Sequence, residues 1–235
     1  MAIFRGPNIV RSGLVLAVDA ADINSYPRTG ATWKDLSGNS NTGTLVNSPT
    51  FSNTKGGTIT FNGTNQYVNV PNSTSLQVTA TFTLCAWVYA TTLAARYAVF
   101  STRATNPAGG WQLEIGSTGI GSLSVNRIAF TGVGTWLAET FDNVLTTNTW
   151  YNICLTKVNN ATNGGIFYIN GASVANRQTN AYTISNNADA KRIATSTGTA
   201  ELFPGNISQT LLYNRALSAA EILRNYNATK TRFGL

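Results

Sequence analysis

Histidine is missing from this 235-residue chain. Its absence excludes Ser-His-Asp and Cys-His nucleophilic catalysis, His-ligated zinc and a histidine general base. Charge is sparse too, with 16 Lys and Arg against 9 Asp and Glu making up 11% of the residues. No run reaches the roughly 18 apolar residues of a membrane-spanning helix. The opening Met1-Ala2-Ile3-Phe4-Arg5-Gly6-Pro7 has no long apolar stretch of the secretory kind. The chain is therefore expected to stay in the cytoplasm where it is made, or to leave as part of a larger particle. Low charge does not mean disorder here, because 43% hydrophobic and 10% aromatic residues suffice for a sizeable core.

Thr, Asn, Ser and Gly are used heavily, and they favour strands with polar outer faces joined by tight turns. Apolar or alternating segments recur at residues 14–18, 58–61, 67–70, 82–89, 98–101, 111–115, 127–130, 151–158, 166–169 and 209–213. About ten strands at this spacing, with no helical pattern between them, predict an all-β antiparallel two-sheet sandwich. Turn signals separate the segments, and Asn62-Gly63 and Asn170-Gly171 are the sharpest hairpin signals. One short C-terminal helix is legible over residues 219–226. Ser218 and Glu221 form a capping box there, and Ala219, Ala220, Ile222, Leu223 and Tyr226 supply an apolar stripe. No linker or repeat divides the chain. Residues 14–228 are expected to form one domain, with 1–13 as an anchoring arm or an edge strand and 229–235 as a tail.

The net charge of +7 fits an acidic partner. The basic residues are nonetheless scattered through the middle of the chain, so neither nucleic acid nor a membrane is expected as partner. They concentrate only at the ends, as Arg5 and Arg11 and as Arg215, Arg224, Lys230 and Arg232.

Several segments, read in order, carry a specific signature. They are Trp33-Lys34-Asp35-Leu36-Ser37-Gly38-Asn39, Ile59-Thr60-Phe61-Asn62-Gly63 with Gln66-Tyr67-Val68, Phe82-Thr83-Leu84-Cys85-Ala86-Trp87-Val88, and Trp150-Tyr151-Asn152-Ile153. Phe167-Tyr168-Ile169-Asn170-Gly171 follows, then Gly205-Asn206-Ile207 leading into residues 212–222. Together they resemble the laminin G-like branch of the concanavalin A-like lectin/glucanase superfamily, which implies a jelly roll. Trp87 and Trp150 at strand centres are expected in the core. Cys85 and Cys154 occupy places similar to the disulfide-forming pair of pentraxin relatives. The resemblance implies neighbouring strands, with either a bond or, after synthesis in a reducing compartment, two buried thiols.

Glucanases of the superfamily need a nucleophile and an acid held about 5 Å apart. Here Glu114 and Glu139 stand alone in their segments, and no enzyme activity is expected. Calcium needs several oxygen ligands, usually with two or more carboxylates. The stretch matching the acidic loop of pentraxins, residues 195–205, offers only Glu201, and Asn62 and Ser208 stand where many laminin G-like domains carry Asp. Asp19 and Asp22 read as turn residues. No cofactor is expected, and a structural calcium ion has no support. A metal-free glycan site would use exposed aromatics beside amides and Arg, with Trp136, Trp111, Tyr97 and Arg127 as candidates. Of these, Trp136 in Gly134-Thr135-Trp136 reads as a loop tip.

The ends narrow the resemblance. Gly6-Pro7-Asn8-Ile9-Val10 with residues 13–21, and the ending 225–235, are similar to laminin G-like virion structural proteins of tailed bacteriophages. That resemblance implies a non-enzymatic capsid decoration subunit on the head exterior, assembled in the host cytoplasm. Its partners would be the major capsid protein or other virion proteins, and further copies of itself in a homo-oligomer on the particle. Arg5, Arg11, Lys230 and Arg232 would anchor it. The alternative is a carbohydrate-binding adhesin of a tail or fibre that meets cell-surface glycans.

Overall fold

The computed structural model describes residues 8–103, 109–117, 125–132, 135–158, 165–178, 184 and 188–235, apart from the side chains of Thr135, Trp136 and Gln178. In chain order the strands begin with β1 (Leu14–Asp19), β2 (Thr32–Trp33), β3 (Gly43–Val46), β4 (Thr50–Ser52), β5 (Thr58–Asn62) and β6 (Tyr67–Val70). Next come β7 (Phe82–Ala90), β8 (Arg96–Ser101), β9 (Trp111–Gly116), β10 (Arg127–Gly132), β11 (Thr135–Thr140) and β12 (Trp150–Lys157). The series closes with β13 (Gly165–Ile169), β14 (Ala172–Val174), β15 (Asn176–Gln178), β16 (Lys191–Ile193) and β17 (Pro204–Tyr213), and the helix α1 (Ala219–Thr229) follows.

One sheet has the order β14-β13-β12-β7-β17-β5-β4, with β1 also on β17, and the other runs β15-β11-β10-β9-β8-β16-β6-β3-β2. Every described pairing is antiparallel, as the sequence pattern predicts. A continuous core fills the space between the sheets. Leu84, Ala86 and Val88 of β7 face Leu113 and Ile115 of β9 and Ile128 and Phe130 of β10 within it.

Strand β7 is buried along nearly its whole length, which explains its unbroken apolar run. Its alternate residues Cys85 and Trp87 point away from the core, under a second layer made by α1 and the chain after it. Cys85 lies directly opposite Cys154 of β12, and the two are joined in a disulfide beneath Leu217 and Ile222. Trp87 stacks on Phe233 with ring centroids 3.8 Å apart and donates its indole N–H to the Thr229 hydroxyl at 2.8 Å.

Two expectations about the ends are corrected here. The helix runs three residues past Tyr226 and passes into a 3-10 turn, Lys230–Phe233, so residues 229–235 belong to the fold instead of trailing from it. Burial of Phe233 against Trp87 extends the helix beyond its local signal. Residues 8–13 form neither a free arm nor a strand. The Val10 amide donates to Asn225 Oδ1 at 2.8 Å, and its carbonyl accepts from the Tyr213 hydroxyl at 3.0 Å. Arg224 Nε adds a bond to the Asn8 carbonyl at 2.8 Å. Residues 1–7, with Arg5, lie outside the described residues.

The turns divide as well. Asn170-Gly171 makes a two-residue hairpin between β13 and β14, with φ of 52° and 79° as a type I′ turn requires. Asn62-Gly63 makes none, because β5 and β6 belong to different sheets. Asn62 Oδ1 instead accepts from the amides of Thr64 and Asn65, holding an Asx turn that crosses the sandwich. The sequence pattern also passes over the strand β11 and the short strands β2, β3, β4, β15 and β16.

Asp35 explains the Trp33 to Asn39 signature. Its carboxylate, 6% exposed, accepts from the Ala17 and Ser37 amides at 2.8 Å, the Asn41 amide at 2.9 Å and the Ser37 hydroxyl at 2.7 Å. It straps residues 35–41 along the edge of β1. Asp35→Ala strands three amides and is expected to cost about 3 kcal/mol. In thermal unfolding that is a drop of about 6–12 °C for a chain of this size, and a shift below about 2 °C would contradict the assignment.

The α1 capping box is present, with Glu221 also paired to Arg215 at 2.6 Å. The hydrogen bond from Arg215, then that from the Ser218 amide, hold the Glu221 carboxyl down at about 2. Because the folded value lies below the ordinary one, this stabilisation is complete above about pH 4.5 and fades as pH falls towards 2. After allowance for solvent screening, Glu221→Gln should lose about 1 kcal/mol at pH 7. The gap between its melting temperature and that of the parent chain should narrow steadily as pH falls from about 4.5 towards 2, and a difference that stays constant with pH would exclude the charge as cause.

Candidate functional site

On the outer face of the β15-to-β2 sheet, register assembles a chain of alternating charges. Ala129 of β10 sits opposite Glu114 of β9 on one side and Glu139 of β11 on the other, so both carboxylates project in one row. Ala98 and Arg177 continue that row at its two ends. Gly116 lies between Arg96 and Arg127 in the neighbouring row. Small residues thus alternate with long charged ones, leaving room for the side chains to lie across the sheet.

Arg177 Nε meets Glu139 at 2.6 Å, and Glu139 meets Arg127 Nε at 2.7 Å. Arg127 Nη2 lies 3.5 Å from Glu114, and Arg96 lies beyond, 3.9 Å from Glu114 and paired to Glu201. The Gln112 amide nitrogen bridges Glu114 and Glu201 at 2.6 and 2.5 Å. Glu114, Arg127 and Glu139 are at most 2% exposed, whereas Arg96 and Arg177 open to solvent at the ends. Burial pushes the Glu114 carboxyl up, with Arg96 opposing the shift. Arg127 approaches Glu139 off its N–H axis, so the contact is an ion pair without an aligned hydrogen bond. Glu201 reaches the cluster from the loop before β17 with a left-handed φ of 54°, a conformation that costs about 1 kcal/mol for a residue with a side chain. Glu139 is clamped between two arginines and Glu114 is enclosed, so neither is placed as an accessible nucleophile or acid.

Of the four aromatic and basic candidates, the three whose side chains are described do not converge. Trp111 is fully enclosed on the core side, stacked on Phe82 at 4.3 Å with its indole N–H on the Val78 carbonyl, and is a core residue instead of a ligand platform. Tyr97 also packs against the core. Arg127 is enclosed in the ion-pair chain on the opposite face. Trp136 is a strand residue opposite Thr131, not a loop tip, and its side chain lies outside the described residues. Strand alternation, which separates residues 111 and 112 to opposite faces, is what scatters them.

Among the anchoring candidates, Arg232 is turned into the domain. It pairs with Asp19 at 2.8 Å and donates to Ser208 Oγ at 2.7 Å. Lys230 lies 5.4 Å above the Tyr226 ring. Arg11 is exposed and bonds only the Leu36 carbonyl, at 3.3 Å. Asp22 accepts from the Asn24 amide and side chain as a turn residue. Among the described residues, no three His, Cys, Asp or Glu come together as metal ligands.

Two clefts escaped the sequence pattern. One, of about 340 Å³, lies between residues 8–11 and the end of α1, with Gln209 and Leu211 in its floor. The other, of about 620 Å³, lies at one end of the sandwich between Tyr26, Arg28, Leu45, Pro49 and Phe51. Tyr26 and Phe51 are 5.6 Å apart there, and Arg28 is exposed with a left-handed φ of 70°. An aromatic beside Arg in the turn Tyr26-Pro27-Arg28-Thr29-Gly30 is a signal that sequence reading had available.

Two antiparallel sheets, a shared core and a capped C-terminal helix define a lectin-like jelly roll. The chain belongs to the concanavalin A-like lectin/glucanase superfamily, whose Laminin_G_3 model matches residues 62–223. No curated protein is similar to it in sequence. Among solved structures, the binding domain of Paraclostridial Mosquitocidal Protein 1 superposes with a TM-score of 0.68 at 15% identity, over 93% of this chain and 52% of that one. Domain 4 of AbnA, a GH43 extracellular arabinanase from Geobacillus stearothermophilus solved with arabinotriose, gives 0.68 at 17% identity, over 92% and 98%. The binding domain of botulinum neurotoxin serotype G gives 0.64 at 18%, over 91% and 50%. The chain spans about half the length of the two toxin domains. At these identities the likeness is one of fold.

Removing Arg127 would leave Glu114 and Glu139 buried beside an empty space. Arg127→Ala should therefore destabilise the chain by about 3–5 kcal/mol, the loss that follows when one member of a buried ion pair is removed. Chemical denaturation reads this directly, and a loss under about 1 kcal/mol would mean that the cluster is not held as described.

Proposed function

We propose that this chain is a non-enzymatic structural module of a tailed-bacteriophage virion, a decoration subunit on the head exterior that is attached by the face carrying α1. The observation that supports it best is that Asn8, Ile9, Arg11 and Arg232 line one cleft on that face. Residue 10 is bonded to α1, and Lys55 Nζ ties the Phe233 carbonyl at 3.0 Å. Attachment there leaves the sheet with the ion-pair chain facing outward. Enclosure of Glu114 and Glu139 supports a role without catalysis. The reading requires no cofactor or metal, takes virion proteins as partners, and places the protein in the particle after assembly in the host cytoplasm.

A second reading has one observation of its own. The cleft sets the half-buried Phe51 ring, backed by the buried Tyr26, beside the exposed Arg28 guanidinium, the chemistry of a metal-free sugar site. A carbohydrate-binding adhesin would use it against cell-surface glycans.

Deletion tests the first reading, and the structure decides where to cut. Val10 is buried and bonded to α1, so removal must stop before residue 8. Deleting residues 2–7 should reduce incorporation into particles more than about tenfold while the melting temperature of the domain stays within about 2 °C. Normal incorporation would overturn attachment through this segment. Density for the domain confined to tail or fibres in a virion reconstruction would turn the account to the adhesin.

A further inference from the structure

The cleft between residues 8–11 and the end of α1 has unused recognition groups of both kinds. Arg11 stands at its rim, exposed, with one hydrogen bond to the Leu36 carbonyl and no acidic partner among the described residues. In the floor, Gln209 is only 6% exposed. Its amide nitrogen donates to Asp19 at 2.8 Å, and none of the described residues donates to its amide oxygen. Asp22 uses one carboxylate oxygen on Asn24 and leaves the other without a hydrogen bond. Ile9, Leu36 and Leu211 supply apolar walls.

We propose that this cleft takes an acidic peptide segment of a partner protein, with a carboxylate on Arg11 and a backbone N–H on the Gln209 amide oxygen. The proposal rests on the reading that this face is attached to another protein, and it names the chemistry of that contact. A guanidinium free of protein acids pairs a carboxylate through two parallel N–H bonds. An amide oxygen that no described residue donates to can accept the N–H that a peptide brings beside its acid. Peptide backbone does both within one residue. The volume of about 340 Å³ fits one or two side chains. No aromatic residue lines the cleft, so a sugar ring finds no stacking face there. Asp19 and Asp22 balance Arg11 and Arg232 in the lining, so the cleft suits a single carboxylate at Arg11 and not a run of negative charges such as a nucleic-acid backbone. The net charge of +7 draws an acidic partner towards the chain.

The test uses the full chain, labelled with nitrogen-15, and two probes: acetyl-Gly-Glu-Leu-Gly-amide and the same peptide with Gln in place of Glu. The Glu peptide should shift the Gln209 side-chain amide signal and bind at least about fivefold more tightly than the Gln peptide. Arg11→Ala should abolish that preference and Arg11→Lys should retain part of it, both with parent melting temperatures because the side chain is exposed. Equal binding of the two peptides, shifts that map away from Gln209, or a preference that survives Arg11→Ala would each overturn the proposal. So would tighter occupation of the cleft by a 15-nucleotide oligothymidylate, which would assign it to nucleic acid. The titration needs no particle. Peptide preference together with normal incorporation of the 2–7 deletion would overturn attachment through that segment alone. Loss of incorporation without peptide preference would overturn the cleft alone.

Discussion

Strand β7 must be covered on both faces, and most of the molecule is arranged to do so. Its inner residues Leu84, Ala86 and Val88 are met by the opposite sheet, as in any sandwich. Its outer residues Cys85 and Trp87 would face water if the chain stopped at β17. The helix α1, the turn that follows it and residues 8–13 close over them. Burying a large aromatic side chain contributes about 1.5–3 kcal/mol, and Phe233 completes that burial for Trp87 from the far end of the chain. The same layer encloses the disulfide of β7 and β12. The end segments are thus structural before they are anything else, which is why Arg232 pairs inward with Asp19, while Arg11 at the rim of the cleft has no acidic partner among the described residues.

The opposite sheet meets a different constraint. Its outer face carries carboxylates and guanidinium groups in places where burial would be prohibitive for any one of them alone. Alternation of sign along Arg177, Glu139, Arg127, Glu114, Arg96 and Glu201 makes the set tolerable, and Ala98, Ala129 and Gly116 leave it space. Such a network is unforgiving: each member is the partner of another, so truncating one exposes its neighbours to the full desolvation cost. A face wired in this way is suited to holding one conformation.

The two faces therefore differ in kind. One is a self-neutralised network, while the other combines an apolar-walled cleft with an exposed cation. A module that attaches by the second and presents the first agrees with a structural role, and the aromatic cleft at the end of the sandwich is a separate place where sugar chemistry would fit. Superfamily membership supports either reading, because the same sandwich hosts unrelated functions.

Fold class was legible in the residues because its signals are local. Two-residue alternation, the capping box of Ser218 and Glu221 and the positive φ tolerated by Asn170-Gly171 each act within a few positions, and they appear where the sequence puts them. Asn62-Gly63 carried the same turn signal and serves a crossing between sheets, because neighbours in the sheets, not the dipeptide, decide what a turn connects. The site was hidden for a related reason. Glu114 and Glu139 look solitary along the chain and become partners only through register across β10, while Glu201 arrives from a loop 87 residues beyond Glu114. Trp111 and Gln112 are adjacent in sequence and lie on opposite faces of the sheet. Chain-local chemistry determined which strands, turns and helix this protein can make. Long-range strand pairing alone decided which charges meet, which aromatics are enclosed and where a cleft stays open, because those depend on distances across the sheet that no local spacing encodes.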